Sequence, residues 1–469
     1  MTHPQPNTMH DAPVSGGANS EFADSTPVVD AVTWPGLCDV PTGLRATAAA
    51  KVADRLFRRA AGHLDVRIEY PDGTLVGVDH DRTILPRMII RKPDAFMRRV
   101  GRDGLIGFGE SYMAGEWTSP DLAGVLGVFA SRMANLIPRP LQALRGLYVS
   151  RHPSQEIGAE QNTRSNISRH YDLSNELFAL FLDETMTYSS ALFASNPTKV
   201  RQAGKVSVLR APVPQTSHTA DDLLPAQRRK IDRLLDAAGV RRGTRLLEVG
   251  TGWGELCIRA AERGAVVRSV TLSSEQQRLA RERVAEAGYS ESVRIDLLDY
   301  RSVDGEYDAI VSVEMIEAVG HQYWETYFRT LDDLLAPGGR VALQAITMPH
   351  DRMLRTRNTY TWIHKYIFPG GFLPSTEVIE SVTERHTALR VRERLSMGQH
   401  YAETLRLWKE RFGAHSTQAE SLGFDETFRR MWHFYLSYSE AGFRSGYIDV
   451  QQIVLERDSY DHSRSQSWP

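Results

Sequence analysis

The chain has 469 residues, 41% of them hydrophobic and 24% charged, and its 56 Lys and Arg against 58 Asp and Glu leave a net charge of -2. This is the composition of a globular protein with room for two or three domains, and it excludes a low-complexity chain and any global electrostatic drive toward nucleic acid. Two cysteines, Cys38 and Cys257, make neither a disulfide nor a metal framework, no run of about 18 apolar residues offers a membrane span, and no signal-peptide pattern opens the chain, so a cytoplasmic protein is expected.

Residues 1–35 are rich in Pro, Ser, Asp, Gly and Thr, which predicts a disordered tail. An N-terminal α+β domain is expected over 36–152. It has a helix from Thr42 to His63, a hairpin whose strands Val66–Tyr70 and Thr74–Val78 flank Pro71-Asp72-Gly73, and further helices near 93–100, 121–135 and 139–151. Within it, Gly104 to Trp117 interleaves four glycines with aromatics, a pattern of backbone packed closely against a neighbour. Residues 153–221 read as a polar linker over 153–167, an aromatic and hydroxyl-rich segment from Arg169 to Ser190, and a surface insertion from Asn196 to Ala220.

From Asp222 to the C-terminus strand and helix patterns alternate: helix 222–238, strand Leu246–Val249, helix 253–263, strand Ala265–Thr271, helix Ser274–Gly288, strands Val293–Leu297 and Tyr307–Val313, helix His321–Leu335 and strand Arg340–Thr347. This predicts an α/β fold with a doubly wound, mostly parallel sheet. A strand near 388–395 and helices near 399–413 and 425–441 follow. The first strand ends in Glu248-Val249-Gly250-Thr251-Gly252-Trp253-Gly254. Its Gly-x-Gly-x-Gly spacing differs from the Gly-x-Gly-x-x-Gly of dinucleotide folds and favours S-adenosylmethionine (SAM), with a dehydrogenase or a structural turn as the other readings. Ligands of such sheets bind at the carboxyl ends of the strands. Gly250–Gly254, Thr271-Leu272-Ser273, Leu298-Asp299-Tyr300 and Ser312–Glu317 therefore face one crevice. Asp351 to Lys365 sets Arg352, Arg355, Arg357, His364 and Lys365 among aromatics, either a solvated helix face or a lid meeting anionic lipid headgroups.

His170-Tyr171-Asp172-Leu173-Ser174-Asn175, Met186-Thr187-Tyr188-Ser189, the glycine turn with Trp253, Val270 to Gln277, Tyr366-Ile367-Phe368-Pro369-Gly370-Gly371 and His400 to Trp408 together resemble the cyclopropane fatty acid synthases. The resemblance runs from about Ile89 to Glu456 and includes Gly109-Glu110-Ser111-Tyr112-Met113. It implies a class I SAM-dependent methyltransferase that alkylates a cis double bond of a phospholipid acyl chain from the membrane surface. It also implies that Gly250, Gly252 and Gly254 pass under the methionine part of SAM; Thr271 and Leu272, at the next strand end of the crevice, are the other expected cofactor contacts. Gln276 stands where a ribose-binding group is expected, Asp299 and Tyr300 along the adenine, and Tyr188 near the methionyl carboxylate.

In that family a bound bicarbonate is the proposed base, held by Cys, Glu, His, an Ile backbone group and Tyr. Glu317, Ile346 and Tyr401 match the pattern, whereas Ser190 replaces the Cys, Gln344 the His, and Ala318 follows Glu317 where a His is usual. Methyl transfer is untouched by these departures, but they make bicarbonate and the product the open points. Ile316–Gly320 and Leu343–Pro349 look like the actinobacterial branch that makes 10-methylene fatty acids, precursors of tuberculostearic acid. The alternatives are a cyclopropane product or a non-catalytic SAM- or lipid-binding subunit. A protein carboxylate in place of bicarbonate would be Glu184 or Glu440. A separate reductase is the expected partner, a homo-oligomer is compatible with the sequence, and no metal site is expected.

Overall fold

A computed structural model of the chain describes residues 27–77, 85–136, 174–194, 196–215 and 217–458. The expected helix at 139–151, the linker at 153–167 and His170–Leu173 lie outside them. Two sheets organise the molecule. The smaller joins β1 (Arg67–Glu69), β2 (Leu75–Val76), β3 (Arg87–Ile90) and β4 (Trp117–Thr118) in the order β2-β1-β3-β4, with the expected hairpin at β1 and β2.

The larger sheet holds β5 (Thr198–Ala203), β6 (Val206–Arg210), β7 (Arg245–Val249), β8 (Val266–Thr271), β9 (Val293–Leu297), β10 (Tyr307–Val313), β11 (Leu335–Thr347), β12 (Leu389–Ser396) and β13 (Asp449–Arg457). Their order is β5-β6-β12-β13-β11-β10-β7-β8-β9. From β11 to β9 the strands are parallel, and β13 runs antiparallel between β11 and β12. Strand β7, the middle one of the five parallel strands, is apolar on both faces: Leu246 and Leu247 are fully buried, each stabilising the fold by about 1.5–3 kcal/mol relative to exposure.

Three expectations are corrected. The segment Asn196 to Ala220 is not a free insertion; β5 and β6 extend the main sheet through β12. Strand β13, absent from the sequence reading, fills the middle of that sheet. The tail is docked from Pro27 onward: a Cβ on Gly115 would strike Pro27, and the Trp34 indole donates to the Asp425 carboxylate at 2.8 Å.

The N-terminal region shares one apolar core with the helices Gly398–Ala414 and Glu426–Arg444. The Tyr112 hydroxyl lies 3.0 Å from His433 Nδ1, and its ring tilts against Phe434. The glycines of 104–117 have the close neighbours that the spacing implied: a Cβ on Gly109 would sit 2.5 Å from the indole of Trp362. This contact, with Lys365 and Tyr366 both bonded to the buried Glu110 carboxylate, seats the segment after β11 on the N-terminal region.

Candidate active site

The glycine turn closes β7. Gly250, Gly252 and Gly254 have φ of 98°, 53° and 92°, values an L side chain rarely adopts. The Gly250 amide donates to the Val270 carbonyl, and Thr251 meets Ser269 hydroxyl to hydroxyl at 2.7 Å, so the turn is pinned to β8. A Cβ on Gly252 would project into open space, whereas one on Gly254 would meet Ala280 at 3.2 Å. Gly254 is thus where two helices pack closely, and Gly250 to Gly252 form the cradle. Trp253 donates its indole N–H to Asn175, tying the cradle to the helix Asn175–Phe181.

A cavity of about 1090 Å³ opens over this turn. Gly250, Gly252, Thr271, Leu272, Gln276, Tyr300 and Tyr188 all line it. The Thr271 hydroxyl donates to the Gln276 carbonyl oxygen, which fixes that amide. Asp299 is turned away from the role expected of it: its carboxylate caps the turn at Arg301 N and is held by the Arg301 guanidinium at 2.6 and 2.8 Å. Tyr188 spends its hydroxyl on Tyr435 at 2.7 Å. The same cavity continues into an apolar tunnel between Ala53, Phe57, Phe108, Phe129, Trp362 and Phe434. One end is polar and cradled; the other is shaped for a hydrocarbon chain.

Glu314, Glu317, Ile346 and Tyr401 line the same cavity. Ser190, Gln344 and Tyr401 do converge, but on Glu314 rather than on Glu317. Glu314 Oε1 accepts from the Ser190 amide at 3.0 Å and the Gln344 side-chain amide at 2.9 Å, and Oε2 accepts from the Tyr401 hydroxyl at 2.8 Å. Ser190 acts through its backbone, its hydroxyl facing the Ala191 carbonyl. Gln344 is itself oriented: its carbonyl oxygen accepts from Gln452, whose own oxygen is held by Arg233, which pairs with Glu393. The expected His would titrate; this amide is a permanent donor. Glu317 Oε1 accepts from the Ile346 amide at 2.5 Å, and its Oε2 is buried without a partner.

Burial raises the Glu314 carboxyl above its ordinary value, against its three donors and the charge of Lys230. Burial, then the charge of Glu314, pushes Glu317 up to about 8. The charge of one carboxylate thus favours the proton on its neighbour, Glu317. Lys230, wholly buried and donating to Ser189 Oγ at 2.7 Å, is brought down to about 8 by burial against the charges of Glu314, Asp183 and Glu248. Glu248, up to about 7 by burial, accepts from Cys257 and Ser269 beneath the glycine turn.

Glu314, Lys230, Glu248 and Gln452 were missed as site residues. For Glu314 a signal existed, since it stands at the carboxyl end of β10 in the crevice already delimited. Glu184 and Glu440 are excluded as substitute carboxylates. Glu184 is exposed, and Glu440 is committed to Lys409 and Arg444, both at 2.7 Å.

Because folding favours neutral Glu317, its contribution to stability is complete below the ordinary carboxyl range and is lost as pH rises through about 8. Urea denaturation of Glu317→Gln should therefore show a flatter pH dependence than wild type and a higher midpoint at about pH 9.

The glycine cradle on a doubly wound sheet, sharing one cavity with an apolar tunnel and two carboxyls, defines a SAM-dependent fatty acid methyltransferase of the class I fold. The chain belongs to the family described as mycolic acid cyclopropane synthetase, whose model matches residues 159–453. It is 56% identical to tuberculostearic acid methyltransferase UfaA1 of Mycobacterium tuberculosis over 92% of this chain and 96% of that protein. It is 32% identical to cyclopropane-fatty-acyl-phospholipid synthase of Escherichia coli K12 over 78% and 87%. Among solved structures, mycolic acid cyclopropane synthase CmaA1 complexed with SAH and CTAB superposes with a TM-score of 0.54 at 32% identity, covering 63% of this chain and 98% of that one. Among the described residues no helix is long and apolar enough to cross a membrane.

Proposed function

We propose that this enzyme methylates the cis double bond of an oleoyl-type phospholipid chain and releases a methylene-branched acyl chain, the 10-methylene precursor of tuberculostearic acid. The observation that carries the reading is the continuity of one cavity from the glycine turn, past Glu314, Glu317 and Tyr401, into the apolar tunnel. The 56% identity to a tuberculostearic acid methyltransferase supports the product.

SAM, when bound, supplies an electrophilic methyl to the alkene and leaves as a neutral thioether. The room above Gly252 and the fixed amide of Gln276 suit its amino-acid and ribose parts. An alkene is a weak nucleophile, so the chain's own task is to hold it in line and dry; the tunnel from Phe57 to Phe434 does both. The resulting acyl cation lies among Tyr188, Tyr401 and Tyr435, whose ring faces favour a cation. Bicarbonate does not fit: the Ser190, Gln344 and Tyr401 donors that would hold it already serve Glu314.

The enzyme works at the cytoplasmic membrane surface, where exposed Arg355 and Arg357 follow the half-exposed Leu354 on the segment after β11. A separate reductase completes the methyl branch, since reduction of the methylene needs a hydride source and the sequence offers no second nucleotide-binding motif. Expression in a host that makes oleoyl lipids and no cyclopropane lipids tests the reading. Lipid mass spectrometry should show oleoyl chains heavier by one methylene, with fragments placing an exocyclic branch. Ring-derived fragments would assign the runner-up cyclopropane product, and unchanged lipids would overturn the proposal.

A further inference from the structure

We infer that Glu314 is the built-in base of the reaction, its carboxylate taking the proton that the methylated acyl chain must lose. This rests on the proposed function for the presence of an acyl cation, but it holds for a ring or a methylene product alike.

Among the described residues, only Met186 and Glu314 lie in the left-handed region without being glycine, with φ of 54° and 52°, and both line the cavity. Such a conformation is strained for a residue that carries a Cβ. Glycine would relieve it at position 314, yet an acid stands there. The backbone is fixed in this shape by the Glu314 amide donating to the Gln344 carbonyl at 2.7 Å. The Glu314 side chain meets one donor each from β11, the Ser190 segment and the helix Gly398–Ala414.

A carboxylate has about four acceptor positions. Three are filled, two on Oε1 by Ser190 and Gln344 and one on Oε2 by Tyr401. That leaves one lone pair on Oε2 of a residue that lines the cavity. The three donors hold the group still and, with the buried positive charge of Lys230, oppose the rise that burial imposes on it. Tyr401 remains a donor because burial and the Glu314 charge push its hydroxyl well above the ordinary phenol value. Glu317, raised to about 8, is the neutral member of the pair and does not compete for the proton.

The step balances without a co-reactant. A hydride shift from the methyl-bearing carbon to its cationic neighbour moves the charge onto the branched carbon. A C–H bond of the new methyl then breaks: its electron pair becomes the second bond of the exocyclic methylene, and its proton passes to Glu314 Oε2. Without the hydride shift, the same C–H pair closes a ring and the same oxygen receives the proton. Nothing is oxidised or reduced overall, and the neutral carboxylic acid returns its proton to water when the products leave.

The test uses the full-length enzyme, SAM and dioleoyl phosphatidylglycerol vesicles in buffer stripped of carbon dioxide, with and without added bicarbonate. Wild-type turnover should be the same in both. Glu314→Gln should lose about 10²- to 10⁴-fold in turnover, the usual range for removing a general base, with melting temperature and affinity for S-adenosylhomocysteine retained. Glu314→Gly should regain part of the loss with added formate or bicarbonate. A wild-type enzyme that stalls without bicarbonate would overturn the assignment, and so would Glu314→Gln turning over within about threefold of wild type while Glu317→Gln does not. Should Glu314→Gln fail to fold, the wild-type bicarbonate response decides alone. A cyclopropane product formed without bicarbonate would refute the methylene reading and leave Glu314 as the base.

Discussion

Tyr401→Phe should lower kcat about 100-fold, the scale on which removing one preorganised hydrogen bond at a reacting centre acts, and should leave the affinity for SAM unchanged. The substitution removes only the hydroxyl that donates to Glu314 Oε2 at 2.8 Å; the ring stays stacked on Phe443 at 4.4 Å. Loss of that donor favours the protonated carboxyl at 314. The ionised form is the active one, so the acidic limb of the kcat profile should move to higher pH. A purely structural role for Tyr401 would lower kcat with no displacement of that limb. Steady-state kinetics across pH separates the two.

Gly252→Val should weaken SAM binding at least about 100-fold, because a β-branched residue is costly at a left-handed φ and its methyls would stand in the cradle. The φ of 53° and the open space at its Cβ position make both effects local. Calorimetric titration with S-adenosylhomocysteine reads the loss, and the melting temperature without ligand should fall by only a few degrees. Gly254→Ala should behave differently. Its Cβ meets Ala280 across a helix contact, so stability drops more than affinity.

The parallel half of the large sheet was legible because β7 to β11 are apolar runs punctuated by glycine turns. Strand β13 was not, since Gln451 and Gln452 interrupt its apolar run. Gln452 is nonetheless fully buried, because its amide donates to Gln344 and to the Lys230 carbonyl. A polar residue satisfied by partners more than a hundred positions away looks, in the sequence alone, like a surface residue. Strands β5 and β6 were hidden for the opposite reason. Strand β5 at the sheet edge exposes nearly all its side chains and β6 beside it buries none fully, so Thr198 to Arg210 has the composition of a loop.

The site shows the same division. Glycine spacing located the cofactor cradle, and the motif order located Ser190, Gln344 and Tyr401. What these three bind depended on the backbone turning left-handed at Glu314, which no periodicity encodes. The departures at Ser190 and Gln344 fit together once Glu314 is in place: a backbone amide and a permanently donating amide suit a fixed carboxylate.

The most direct test gives the purified enzyme SAM carrying ¹³C in its methyl, with dioleoyl phospholipid vesicles, and reads the extracted lipid by carbon NMR. The account predicts that the label appears as the terminal carbon of an exocyclic C=CH₂ group. Label in the CH₂ of a cyclopropane ring, or none in the acyl chain, would contradict it.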